Sequence, residues 1–251
     1  MHSFTEVFRS FDPIPVGYRN GALVTGLRID GRDPDSGELG HGIEAQLANA
    51  YENLRRAVEA AGGSTDNIGQ VSFFLADFDD RAAINPPWVA MFPDENDRPT
   101  YKFMPAPLPE GELVQMEFYA VLGERRTDIH LTGVAHANPI PMAVRIGAYL
   151  FSSRVLAYDP ATAQPAEGNE AQARFLYENV NAVIDAAGMS WSDVVQGRGF
   201  LADLAEEPLL GGPWAERFPD AAARPPLHLV RYGAGALRVM LEIVAEEGAG
   251  Q

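Results

Sequence analysis

Apolar residues recur at three- and four-residue spacing through Ile43, Leu47, Ala50, Leu54, Ala57 and Ala61. That spacing winds one apolar stripe along a helix. Gly62-Gly63 predicts its left-handed end. A second helix is predicted over 169–187, with Phe175, Val180, Val183, Ile184 and Ala187 turned inward. Shorter apolar runs predict strands at 21–29, 71–75, 101–104 and 113–121, and again at 147–155, 194–201, 227–232 and 237–245. Gly197 and Gly199 interrupt the 194–201 run. Between the runs at 71–75 and 101–104, Asn85-Pro86-Pro87-Trp88 predicts a short helix with Asn85 as its cap and Pro in its first turn. Phe92-Pro93-Asp94 ends it. Asp33-Pro34-Asp35-Ser36-Gly37 and Leu108-Pro109-Glu110-Gly111 are predicted turns, because Pro fixes φ and Gly releases it.

These elements occur twice in the same order. Pro13-Ile14-Pro15 recurs at Pro139-Ile140-Pro141, and Arg98-Pro99 at Arg224-Pro225, at one unchanged offset. Between those ends lie the pairs Gln46/Gln172, Asn53/Asn179, Gly62/Gly188, Phe74/Phe200, Asp77/Asp203 and Trp88/Trp214. A register held over that length marks a duplicated folding unit, and the long period excludes a solenoid. The expected domains are 1–125 and 126–251, with 124–137 joining the copies and 1–12 leading in. Strands and helices in this order predict an α+β class, each unit a mixed sheet with two helices on one face. The sheet's other face requires a cover, for which the second copy or another subunit is the candidate.

Composition narrows the partners. The net charge is −16 over 251 residues. Such a surface repels phosphate backbones and anionic lipid, so neither nucleic acid nor a membrane is expected as a partner. Without cysteine, thiolate chemistry and Cys metal sites are excluded. No metal motif, phosphate loop or nucleophile elbow is present, and the histidines lack ligand spacing. No signal stretch or membrane-length apolar run is found, so a cytoplasmic protein is expected.

The order Gly21, Asp33-Pro34, Gly37-Glu38, Gln46, Asn53-Leu54, Ala60-Ala61-Gly62, Val71, Phe74-Leu75-Ala76-Asp77, Asn85, Phe92-Pro93, Arg98-Pro99, Leu108-Pro109, Glu117 resembles the Rid family (YjgF/RidA, reactive-intermediate deaminases). The resemblance runs over nearly the whole chain, once per copy. It implies a chorismate-mutase-like unit and self-association, as a homotrimer or a pseudo-trimeric packing of repeats, with small-molecule pockets at interfaces between units. It also implies cofactor-free hydrolysis of an enamine or imine with release of ammonia. Chorismatases resemble it distantly and also carry two such units. In deaminase members an Arg two residues after the Pro holds the substrate carboxylate; that register gives Tyr101 and Leu227 here. The matching positions for a water-positioning Glu are taken as Gln115 and Met240. A position normally Gly is Arg28 in one copy and Arg154 in the other.

The expected first-copy pocket therefore combines Tyr101, Gln115 and Asn85 as catalytic candidates with Arg28, Arg98, Phe103 and Arg154 as substrate-binding candidates. Tyr101, Phe103 and Gln115 are expected to share a face by strand alternation, with core packing the competing role for Phe103. Arg28 and Arg154 either supply the guanidinium absent at Tyr101 and Leu227 or form salt bridges. Asn85 orients water or substrate, or caps a helix. Arg98 and Arg224 either bind an anion or fix a loop through Asp94 and Asp220. Glu117 and Glu242 are expected in structural pairing. In the second copy Leu227, Leu229 and Met240 are expected to make an apolar, degenerate face, with His228 pointing away. The expected activity is hydrolysis of a small carboxylated enamine or imine. The alternatives are another reaction on the same scaffold, such as chorismatase-like hydrolysis or a rearrangement, and non-catalytic ligand binding.

Overall fold

The structure is a computed structural model that describes residues 5–9 and 15–250. The opening Pro13-Ile14 of the first copy, and His2, lie outside the described residues. One compact unit reaches to Thr127 and includes Asn138–Ile140; the other takes Asp128–Ala137 and runs on from Pro141.

The first unit holds β1 (Thr5–Arg9), β2 (Pro15–Asn20), β3 (Leu23–Asp30), α1 (Gly42–Ala60), β4 (Ile68–Leu75), α2 (Asn85–Met91), β5 (Thr100–Pro105) and β6 (Val114–Val121). The sheet order is β1-β2-β3-β6-β4-β5. Only β4 and β5 run parallel. The helical stripe predicted for α1 buries Leu47, Ala50, Leu54 and Ala57, joined by Tyr51 and Val58. Gly62 adopts φ +90° just past the helix, and its N–H and that of Gly63 close on Glu59 O and Val58 O. This left-handed exit is open to Gly and strained for other residues. The helix side of the sheet is Val71, Phe73 and Leu75 of β4 and Val114, Met116 and Phe118 of β6, all buried in one core with Leu54 and Trp88. Each such large side chain contributes roughly 1.5–3 kcal/mol by leaving water.

The second unit begins inside the predicted linker. Arg126–Ile129 forms β7, which joins β8 (Ala143–Ile146) in the second sheet. Then follow β9 (Tyr149–Ser152), β10 (Val155–Leu156), β11 (Tyr158–Asp159), β12 (Gln164–Pro165), α3 (Asn169–Ala186), β13 (Val194–Leu201), α4 (Pro208–Arg217), β14 (Leu227–Arg231) and β15 (Val239–Glu246). The main sheet runs β14-β13-β15-β9-β8-β7, with β10 also on β15. The strand expected over 147–155 is thus broken into β9 and β10. Likewise the predicted lead-in contributes β1. In α3, Phe175 is only half-buried and Leu176 and Tyr177 fill the inner face. Both units are α+β.

Several of the repeated polar pairs have one structural cause. Gln46 Nε2 donates to Gly40 O and Gly111 O, while its Oε1 accepts from Leu113 N. Gln172 makes the same three bonds with Ala166 O, Ala236 O and Arg238 N. Asn53 Nδ2 bridges Asp30 O and Arg32 O; Asn179 Nδ2 bridges Leu156 O and Tyr158 O. These amides satisfy carbonyls of irregular backbone that a buried chain segment must pair.

Candidate functional site

Strand parity decides what the first unit can present. Met116 and Phe118 of β6 face the helices, so Gln115, Glu117 and Tyr119 face away from them. Register then carries the parity outward. Gln70, Ser72 and Phe74 of β4 lie opposite Tyr119, Glu117 and Gln115. Thr100, Lys102 and Met104 of β5 lie beside the same three β4 residues. One row across three strands of the sheet's far side is therefore Lys102, Ser72 and Glu117. At its other end, β3 carries a bulge between Gly26 and Ile29, so Leu27 and Arg28 together oppose Glu117. Arg28 sits at φ +56° and is exposed. The bulge takes the extra residue without reversing the parity of the strand. Lys102 is 3% exposed and its Nζ donates to Gln70 Oε1 at 3.1 Å. Glu117 is half-buried.

The expected sharing of one face by Tyr101, Phe103 and Gln115 is overturned by this register. Tyr101 lies beside Val71 and Phe103 beside Phe73, on the helix side. Tyr101 packs edge-on to Phe73 and Trp88, at centroid distances of 5.7 and 4.8 Å. Its hydroxyl donates to Asn85 Oδ1 at 2.5 Å, and burial pushes the phenol pKa up. Phe103 packs on Phe78 and Tyr101. Gln115 is on the far side, with Nε2 donating to Glu112 Oε2 at 2.6 Å. Asn85 caps nothing: a 3-10 turn over Phe78–Ile84 leads straight into α2, whose cap position is Ile84. The Asn85 side chain instead joins Tyr101 to Asn138. Arg98 donates to Phe92 O and Pro93 O, holding its own loop.

The second unit repeats the row with other residues. Across β14, β13 and β15 it reads His228, Arg198 and Glu242. Arg198 Nη1 lies 3.8 Å from Glu242 Oε1, and Glu242 is 2% exposed. Arg154 is buried between the rings of Phe200 and Tyr232, at 4.3 and 4.2 Å from their centroids. Burial pulls its guanidinium pKa down, against the attraction of Tyr232 and Glu242. The apolar face expected from Leu227, Leu229 and Met240 does not exist as one face. Leu227 and Leu229 lie beside Gly197 and Gly199 on the helix side, and Met240 lies opposite Phe200 on the far side. The cause is steric. A Cβ at Gly199 would stand 2.6 Å from Leu210 and 2.8 Å from Leu229. The glycines make room there, and His228 is turned to the row.

The sequence reading missed Lys102, Ser72 and Arg198. The signal was available: Gln70 and Ser72 alternate with Val71, Phe73 and Leu75, and Gln115 and Glu117 with Val114, Met116 and Phe118. Among the described residues no group of His, Asp and Glu could hold a metal ion. Nor is any described helix long and apolar enough to cross a membrane.

Comparison with known proteins agrees with the duplication. The model of the family described as endoribonuclease L-PSP matches the chain at residues 20–122 and again at 133–246. A 2-iminobutanoate/2-iminopropanoate deaminase of Salmonella typhimurium is 37% identical over 70 residues, 28% of this chain and 55% of that relative. A RutC family protein of Synechocystis is 32% identical over 91 residues, 36% of this chain and 70% of its own. The solved structure of RidA from an Antarctic Psychrobacter has a TM-score of 0.42 at 26% identity, covering 47% of this chain and 94% of that one. With both halves matched by one family model, the chain belongs to the endoribonuclease L-PSP family, as a Rid protein built of two tandem units.

Proposed function

We propose that the first unit hydrolyses a small enamine or imine bearing a carboxylate, on the far side of its sheet. The observation that carries this reading is the row Lys102–Ser72–Glu117, which puts a cation and a carboxylate on one face of the sheet, on the two strands that flank β4. Lys102 would hold the substrate carboxylate and Glu117 would take a proton from water as its oxygen adds to the C=N carbon. That proton passes to nitrogen to give a carbinolamine; its hydroxyl proton then follows to the NH2, the C–N bond breaks as the C=O forms, and a ketone and ammonia leave. The imine's nitrogen lone pair and the added water balance the reaction without a redox partner. Similarity to a relative named as an imine deaminase supports this class. Cleavage of RNA is disfavoured by a net charge of −16. In the second unit Arg198 pairs with Glu242. A second reading, another hydrolysis or a rearrangement on the same face, is favoured by Tyr101 and Leu227 standing where deaminases are expected to carry Arg.

The test is ammonia release from freshly generated 2-aminoacrylate. Wild type should turn over, and Glu117→Gln should lower kcat by about 100-fold or more, the scale of a lost general base. Lys102→Met should raise KM chiefly. A wild type that releases ammonia no faster than buffer, or full activity in Glu117→Gln, would sink the proposal.

A further inference from the structure

Beside the second unit's 3-10 turn at Trp191–Asp193 is a cleft of about 550 Å³. Its floor is apolar: Val194, Val195, Phe218, Pro225 and Pro226 line it. Its polar lining is Ser192, Arg217, Asp220 and Arg224. Among the described residues, arginines elsewhere in this acidic chain ion-pair with a carboxylate, Arg55, Arg126 and Arg238 among them. Neither Arg217 nor Arg224 has a carboxylate within ion-pair distance among the described residues. Each is nevertheless held in place. Arg217 lies between the rings of Tyr177 and Trp191, at 4.3 and 4.8 Å, and donates to Pro213 O at 3.1 Å. Arg224 donates through Nε to Phe218 O at 2.8 Å, which leaves its two terminal nitrogens. Asp220 spends Oδ1 on the N–H of Ala222.

The first unit serves as an internal control. Its corresponding loop has the same bond from Arg98 Nε to Phe92 O. There, however, Arg217 is replaced by Met91 and Ala223 by Asp97. The corresponding space takes the guanidinium of Arg126, which donates to Thr65 O, Ile68 O and Asp97 O and pairs with the Asp97 carboxylate at 2.9 Å. The counterpart positions of the second unit are Trp191, Val194 and Ala223. Relative to the first unit, the second has Ala223 in place of the acid that receives a cation and Arg217 in place of Met91. The polarity of the socket is reversed.

We propose that this cleft is a receptor for a small organic anion, a carboxylate or phosphate carried on an apolar body. Two pre-positioned guanidiniums suit either oxyanion head, because the forks are already fixed and lose little freedom on binding. The apolar floor takes the body. This site is separate from the row on the sheet and does not depend on the reaction proposed for it.

Titration with benzoate, phenyl phosphate and inorganic phosphate, followed by tryptophan fluorescence, tests the proposal, since Trp191 stacks on Arg217. Saturable binding of benzoate or phenyl phosphate, tighter than inorganic phosphate, is expected. The tighter of the two organic probes assigns the head. Arg217→Met, which copies the first unit, and Arg224→Gln should each weaken binding by about tenfold or more, as loss of a charge-assisted contact predicts. Arg98→Gln should not. Ammonia release should be unchanged in Arg217→Met. Thermal melts establish that each variant folds; should Arg217→Met fail to fold, Arg224→Gln decides alone. No saturable binding at millimolar probe, or equal binding in the arginine variants, would overturn the site.

Discussion

The phenol of Tyr101 donates to Asn85 inside an aromatic cluster of Phe73 and Trp88. Tyr101→Phe should therefore lower stability by about 1 kcal/mol, the net worth of one hydrogen bond, and leave ammonia release intact. Urea unfolding and the aminoacrylate assay read the two effects separately. A large loss of kcat with an unchanged melt would return Tyr101 to the chemistry. His136 gives a second single-residue test. Ser153 Oγ donates to Met142 O, so His136 Nε2 donates to Ser153 Oγ at 2.6 Å. Burial, and then the charge of Arg154, lower the His136 pKa to about 4. The unfolded chain binds this proton near pH 6.5, so its contribution to stability is full above that and falls as the pH drops toward 4. The loss amounts to as much as about 3 kcal/mol. His136→Gln, which keeps an N–H for Ser153, should lose less stability than wild type between pH 7 and pH 4.5 in urea melts.

At the scale of elements, glycine sets how closely strands and side chains approach. Gly26 lies opposite Phe118 on β3 and β6, and a Cβ there would fall 1.8 Å from the ring. Gly26→Ala should destabilise by about 1–3 kcal/mol through overpacking, measured by the denaturation midpoint. A neutral result would mean that Phe118 has another rotamer open to it. The helices were legible in sequence because α1 spaces Leu47, Ala50, Leu54 and Ala57 on one stripe. The β6 strand was legible by its alternation. What escaped was the side of each sheet that meets the helices. Tyr101, Phe103 and Lys102 read equally well either way on β5 alone, and only pairing with Val71, Phe73 and Ser72 settles the matter. Asn85 was misread as a cap because a local signal, Asn before Pro-Pro, resembles a helix start. The 3-10 turn before it had no such signal.

At the scale of the whole molecule, duplication followed by divergence predicts that the two units differ in work. Glu242→Gln should lower the melting temperature, because Arg198 then loses its buried partner, and should leave ammonia release unchanged. Glu117→Gln should lower ammonia release. Equal loss of turnover in both would assign the chemistry to both halves. The repeat itself was plain in the sequence, since Gln46, Asn53 and Trp88 each find a counterpart in register. The amides of Gln46 and Asn53 bond backbone in equivalent places in both halves. The adjacency of Tyr101 and Lys102 on opposite faces of β5 carries a last consequence. Loss of the Thr100 codon would shift both by one place, driving an amine to the Tyr101 position among Trp88 and Phe73 and swinging the phenol out. That stretch is open to change in spelling but closed to change in length.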